Sequence, residues 1–451
     1  MKIPRIKDKS LNITEDVQNL IECEPYQLPP KRPIPPISED LLRKINDLKI
    51  SNQATNGTKE TTWLLLRMIP RRVLPSTNPT DKIVVPNWKG YNAKNSCPNS
   101  CWLQTKTHSA HLTIIDAPLS NKRTLYTSMA QYKRLTKSLG QDTSIQTMDQ
   151  QLYALAQEVK WDCKDEFKSH ILRMGSFHAI MTYLSSIGRI WGDAGLRDLL
   201  VDSGVYAAGT AELFLQGKEY NRAVKAYIHV YEALSQVRLT EFLKYLEQKK
   251  QKLPDELWEH LSATKDLFYS GSMPQSAVIE LQNLVEKHVQ PLMAEFRAEL
   301  SEKSPTFQLW DSLIEALHNL LLNLRAEREG DWPLHLHSFL SFLPYYAITD
   351  KPNYTRYSPV YLMDMLALPD DVERAFNRGE FSVRETCGGF IGTASDMGTE
   401  HKIKELKGHG GLKNISKKKT FYDSLVSLVM SLEIGPPSSN EEPILNSQKI
   451  K

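Results

Sequence analysis

Ser144-Ile145-Gln146-Thr147-Met148-Asp149 is the stretch of sequence that decides the fold class. Its first five residues are typical of a short β-strand. Asp149 then opens a helical pattern in which Leu152, Leu155 and Val159 recur on one face. A helical period over 124–139 precedes the strand, with Gly140 as a cap. This order predicts an α/β layer around residue 149.

Two further strands are predicted upstream of this layer. Residues 82–85 form a short β-branched run that ends at Pro86, and residues 111–116 form a second run that closes at Ala-Pro. The first 60 residues are predicted to be extended and poorly ordered because prolines crowd residues 29–37. Within them a short helix is predicted over 39–49. The polar stretch 51–62 is typical of a linker.

Helical periodicity dominates after about residue 163. Apolar residues at helical spacing predict a series of helices, at 177–191, 194–203, 206–216, 219–249, 253–268, 275–302 and 305–328. More helices follow to about Leu366, and a charged helix is predicted over 395–406. The expected organisation is an N-terminal segment, a first core part, a helical insertion, a second core part and a disordered tail, at 1–60, 61–192, 193–330, 331–434 and 435–451.

Composition and motifs exclude several classes of protein. The net charge is only +3 over 451 residues, so DNA binding needs a local basic patch and is not indicated by the whole chain. The Cys97/Cys101 spacing fits half of a zinc site, but no second Cys/His pair has matching short spacing, and two reduced loop thiols are the alternative. No apolar run has the length of a signal peptide or a membrane span, which predicts an intracellular protein without a membrane partner. Glycine-rich nucleotide loops are absent from the sequence, so no nucleotide cofactor is expected.

Four carboxylates are the candidate site residues. Asp149 and Asp116 follow predicted strands, where α/β proteins place ligand sites. Asp396 and Glu400 are four residues apart and share one helix face. Carboxylates that converge on one point would bind Mg²⁺ and support phosphoryl transfer on a nucleic acid. The alternative is that Asp149 is a helix N-cap and that Asp396 and Glu400 are favourable charges in a first helical turn.

Other polar residues are candidates for supporting roles. His178 lies at the start of an apolar helix, where a buried hydrogen-bonding role competes with a site role. The densest basic stretch runs from Lys402 to Lys419. It fits phosphate contacts or a nuclear import signal, with a solvated helix face and loop as the alternative. Its candidate nucleic-acid-binding residues are Lys402, Lys404, Lys407, Lys417, Lys418 and Lys419.

A set of individually weak motifs resembles a family of transposon-derived proteins from animal genomes. The order and spacing of these motifs fit over roughly residues 60–415. The matching stretches are IVVPNWKGYN at 83–92, TMDQQLYA at 147–154, LRMGSFH at 172–178, DAGLRDL at 193–199, SGV at 203–205, YNRA at 220–223, REGDW at 328–332, NYTRY at 353–357, GEFSV at 379–383, SDMGTE at 395–400 and GG at 410–411.

The resemblance implies an RNase H-like transposase core of the hAT type that is interrupted by a helical insertion. On that mapping Asp149 resembles the second carboxylate of a DDE triad and Glu400 the third, while His178 falls near a histidine that often follows the second aspartate. Longer relatives carry an Asp-Asn segment upstream of a stretch like residues 3–7. This chain is therefore expected to be N-terminally truncated and to lack the first carboxylate, for which Asp116 is the only local substitute.

Three functions follow as hypotheses. The first is a transposase-derived, catalytically impaired protein in the nucleus, retained as a DNA- or protein-binding remnant or able to self-associate. The second is an active Mg²⁺-dependent DNA strand transferase that uses Asp116, Asp149 and Glu400. The third is a helical scaffold for protein interactions, in which the α/β layer is only structural.

Overall fold

The protein is predominantly helical, with one small sheet near the middle of the chain. The computed structural model describes residues 38–72, 106–107, 115, 117–270, 274–384 and 391–408. Its elements, in chain order, are α1 Glu39–Arg72, α2 Lys122–Ser138, β1 Ser144–Met148, α3 Gln150–Asp162, β2 His170–Met174, α4 Ser176–Trp191, α5 Arg197–Asp202, α6 Ala208–Leu215, α7 Tyr220–Gln248, α8 Asp255–Ser270, α9 Gln275–Leu284, α10 Gln290–Lys303, α11 Pro305–Glu329, α12 Trp332–Ile348, α13 Pro352–Leu366, α14 Asp370–Asn377 and α15 Ser395–Gly408.

β1 and β2 form a two-stranded parallel sheet. Ser144 lies opposite His170 and Met148 opposite Met174, and α3 makes the connection between the strands. The ladder continues past β2, where the Gly175 N–H donates to the Met148 carbonyl at 2.7 Å. The prediction of a strand at 144–148 followed by a helix from Asp149 is therefore confirmed. Because the strands are parallel, their carboxyl ends meet at one edge of the sheet, which we call the strand-end edge.

β2 was not predicted from the sequence, since it lies at the start of the region that was predicted to be almost wholly helical. All five of its residues are buried, and a short apolar run of this length cannot be told from buried helix by periodicity. Its polar His170 is satisfied inside the sheet, with Nδ1 2.5 Å from Ser144 Oγ and Nε2 3.1 Å from Gln146 Oε1. Burial lowers the pKa of His170 to about 3, so the ring is neutral.

The helices from α4 onward confirm the predicted helical region. Two of the predicted segments contain irregular turns, since Gly195 introduces a kink at φ 112° and a wider turn covers Val285–Val289. Buried side chains form one continuous hydrophobic cluster from Trp63 to Phe381. That cluster crosses the boundaries predicted at residues 192 and 330, so the sheet and the helices share a core.

α1 differs from the prediction for the N-terminal region. Residues 39–72 form one helix, which confirms the helix predicted over 39–49 and continues through the polar stretch at 51–62, so the linker predicted there is wrong. Trp63 is fully buried, and Glu60 forms a buried ion pair with Arg325 of α11 at 3.0 Å. These tertiary contacts stabilise a helix that its own Asn, Thr and Gly residues disfavour.

Several predicted features lie outside the described residues. They are the strand at 82–85, the Cys97/Cys101 pair, Asp116 with most of the strand that precedes it, and the N-terminal and C-terminal segments at 1–37 and 435–451. Among the residues that are described, no helix combines the length and the apolar character needed to cross a bilayer.

Candidate functional site

Asp149 lies at the strand-end edge, directly after β1. Its Oδ1 accepts a hydrogen bond from the Leu152 N–H at 2.9 Å, so its side chain is the N-cap of α3. The N-cap alternative raised by the sequence is confirmed. The same position places the carboxylate at the carboxyl ends of parallel strands, where α/β layers usually bind ligands.

Asp396 is a second capping carboxylate, but it caps a helix far away in sequence. Its Oδ1 accepts from the Phe177 N–H at 3.1 Å, and its Oδ2 accepts from the His178 N–H at 3.2 Å. The N-cap position of α4 is Gly175, which has no side chain to do this. The side chain of Asp396 is only 7% exposed. Asp396 therefore fixes α15 to the N-terminus of α4, where a negative charge is favourable.

Gly175 is required by this close approach. A Cβ placed on residue 175 would lie 2.2 Å from Asp396 Oδ2. A second link lies beside it, since the hydroxyls of Ser395 and Thr147 are 3.2 Å apart. Together these contacts bring the start of α15 against the end of β1.

His178 lies near three carboxylates, those of Asp149, Asp396 and Glu400, and each of them favours its protonated form. Its Nδ1 lies 3.0 Å from Asp396 Oδ2, and its side chain is 35% exposed. The hydrogen bond to Asp396 raises the pKa of His178 above its usual value, against the opposing effect of burial. The charges of Asp149 and Glu400 act in the same direction as that bond. Asp149, Asp396 and Glu400 are therefore all close enough to His178 to favour its protonated form, and Asp396 contacts it directly.

A pocket of about 270 Å³ opens next to this cluster. We call it the α4–α7–α15 pocket, after the three helices that line it. The apolar part of its wall comes from Phe177, Met181 and Met397. The other lining residues are polar or charged, and they are Glu219, Tyr220, Asn221, Arg222, Glu400, His401 and Lys404.

A tight turn holds one wall of this pocket in place. Gly217 has a φ of +73°, and a Cβ there would lie 2.1 Å from the Met181 carbonyl oxygen. The turn therefore sits directly on α4, and Glu219 completes it with a left-handed φ of 54°. Tyr220 follows and packs edge to face on Phe177, with ring centroids 4.8 Å apart. The wall is thus pre-formed by backbone contacts.

Most of the pocket residues were not predicted as site residues. Only Glu400 and Lys404 were, while Phe177, Tyr220, Asn221 and Arg222 appeared solely inside motifs of the family resemblance. No spacing rule connects α7 with α15, so the sequence alone offered no signal beyond those motifs.

The remaining predicted site residues are only partly placed. Lys404 is exposed and Lys402 is half-buried on α15, whereas the side chain of Lys407 is not described. Asp116, Lys417, Lys418 and Lys419 lie outside the described residues. Among the described residues, no three His, Cys, Asp or Glu side chains are grouped so that they could hold a metal ion.

A family model described as "Domain of unknown function (DUF8702)" matches residues 87–434. The match covers more than half of the chain, so the protein belongs to this family. No curated protein matches the chain, and no solved structure does.

Proposed function

We propose that this DUF8702 protein is a transposase-derived, DNA-binding protein whose strand-end carboxylates now stabilise the fold and no longer catalyse strand transfer. The observation that carries the proposal is the return of α15 to the sheet. More than 200 residues separate Met174 from Ser395, yet α15 packs where β1 and β2 end. The Ser395 hydroxyl oxygen lies 3.2 Å from the Thr147 hydroxyl oxygen. A parallel β-α-β unit, a long helical stretch and a further helix that carries Glu400 are the elements that the resemblance to an RNase H-like transposase core with an insertion leads us to expect.

The hydrogen bonds of the carboxylates support the loss of catalysis. Asp149 accepts from the backbone of α3, and Asp396 uses both oxygens for the backbone of α4. A catalytic carboxylate in this chemistry must direct its lone pairs at a hard cation such as Mg²⁺. Helix capping occupies one oxygen of Asp149 and both oxygens of Asp396, which fits a structural role better than a two-metal site.

Charge at the rim of the pocket supports DNA binding. Lys404 of α15 and Arg222 of α7 are both exposed beside the strand-end edge. Exposed cations on one face can contact phosphates, and such contacts dominate affinity for nucleic acids. The basic stretch from Lys402 to Lys419 extends the charge along the chain. It also serves in this proposal as the import signal of a nuclear protein.

A strand-cleavage assay tests the catalytic part of the proposal. Duplex DNA is incubated with Mg²⁺ or Mn²⁺ and with the wild type, Asp149→Asn or Asp149→Ala. Asparagine caps a helix as well as aspartate does, whereas alanine costs about 1 kcal/mol of stability. Asp149→Asn thus removes the charge and keeps the fold. We expect no difference in product between the wild type and either variant.

Metal-dependent cleavage by the wild type that Asp149→Asn abolishes would contradict this part of the proposal. The alternative of an active Mg²⁺-dependent strand transferase would then replace it. Circular dichroism of the two Asp149 variants controls for unfolding, because only Asp149→Ala removes the cap.

A further inference from the structure

The α4–α7–α15 pocket contains both an apolar surface and two signs of charge. Phe177, Met181 and Met397 supply the apolar surface. A volume of about 270 Å³ lies just below the usual range of ligand pockets, which suits one small aromatic group. Thioethers and an aromatic ring are the groups on which a flat ring packs well.

The charged residues at the rim limit which ligands the pocket can bind. Arg222 and Lys404 would attract an anion, but Glu219 and Glu400 would repel a simple one such as phosphate. A ligand that carries both an anionic group and hydrogen-bond donors can pair with the two cations and with the two carboxylates. Carboxylates accept hydrogen bonds from amino groups, and the Asn221 amide can both donate and accept.

A nucleotide unit has this combination of groups. Its base is a flat ring that carries amino donors in adenine, cytosine and guanine, and its phosphate is an anion. The Arg222 guanidinium lines the pocket and lies 5.9 Å from the Phe214 ring centroid, a cation–π contact that limits its movement. The pre-formed turn at Gly217 means that little ordering is needed when a ligand enters.

We infer that the α4–α7–α15 pocket binds one unstacked nucleotide, with its base against Phe177, Met181 and Met397 and its phosphate near Arg222 and Lys404. The inference rests on the proposed DNA-binding function and names the form of DNA that this site takes. The base must leave a duplex to enter a pocket, so single-stranded DNA is the preferred ligand. Stacking on aromatic side chains makes a sequence-tolerant contribution to such binding.

Fluorescence anisotropy with three labelled probes tests the inference on the full chain. The probes are a mixed-sequence single strand of 15 nucleotides, the same strand with abasic residues throughout, and the matching duplex. We expect the base-bearing single strand to bind about tenfold more tightly than the abasic strand, the effect of one well-stacked base. The Phe177→Ala variant is expected to bind both single strands equally. The comparison of probes on the wild type needs no variant, so it stands if Phe177→Ala fails to fold.

Each outcome bears on a different statement. Equal binding of the base-bearing and abasic strands by the wild type overturns the pocket inference and leaves DNA binding intact. Binding of none of the three probes overturns the proposed function. If no probe binds, a titration with adenosine monophosphate tests the nucleotide pocket separately from DNA binding. Saturable binding that Phe177→Ala abolishes would support the pocket even though the protein does not bind DNA. No saturation in that titration overturns the inference as well.

Discussion

Replacing Arg325 by methionine is expected to lower the free energy of unfolding by about 4 kcal/mol. Arg325 lies in the core, with its side chain 2% exposed, and contacts Glu60 at 3.0 Å and Glu329 at 3.5 Å. Burial raises the pKa of Glu329 to about 7, and the charge of Arg325 opposes that rise. Methionine would leave two buried carboxylates without their cation, and a buried charge without a partner is strongly destabilising.

Urea unfolding at pH 8, above the pKa of Glu329, measures this effect. The matched control is the double variant Glu60→Gln with Arg325→Met, which removes the unpaired charge of Glu60. We expect the double variant to regain at least half of the lost stability, because replacing both members of a buried pair is often close to neutral. A loss below about 1 kcal/mol for Arg325→Met would show that α1 does not dock through this pair.

Replacing Asp396 by alanine is expected to cost about 2 kcal/mol at pH 6 and less at pH 9. The variant loses two backbone hydrogen bonds and the contact with His178. His178 has a raised pKa in the folded protein. A group of this kind stabilises the fold below its unfolded pKa, and that contribution disappears as pH rises through the folded pKa. The charged pair therefore contributes at pH 6 and not at pH 9.

Urea unfolding of the wild type and Asp396→Ala at the two pH values checks this expectation. Asp396→Asn is a partial control, since asparagine keeps one of the two acceptors for the α4 backbone and has no charge for His178. We expect Asp396→Asn to lose more stability at pH 6 than at pH 9, where only one backbone hydrogen bond is lost. Equal losses at both pH values for Asp396→Ala would mean that the backbone cap alone connects α15 with α4.

The predictability of this fold from sequence depended on the length of each element. Long amphipathic helices such as α7 and α11 repeat the helical pattern many times, so their bounds were predicted within a few residues. β2 has only five residues, all buried, and carries no period of its own. Residues 51–62 were misjudged for another reason, because tertiary contacts of Trp63 and Glu60 override a weak local propensity.

The candidate site was predictable only in part for related reasons. Asp149 was found because its position between a strand and a helix is visible locally. That Asp149 lies near Asp396 and Glu400 was expected only from the family resemblance, since no local rule connects residues more than 200 positions apart. The contribution of α7 to the pocket depends on the turn at Gly217, whose contact with Met181 is a tertiary feature.

The affinity of Lys404→Glu for single-stranded and duplex DNA is the most direct test of a DNA-binding face at the strand-end edge. Lys244→Glu is the matched control, because Lys244 is 57% exposed and lies about 36 Å along α7 from Tyr220. Anisotropy titrations over a range of salt concentrations should show about fivefold weaker binding and a smaller salt slope for Lys404→Glu. Lys244→Glu should match the wild type. Equal effects of the two substitutions, or no affinity of the wild type for DNA, would contradict the account.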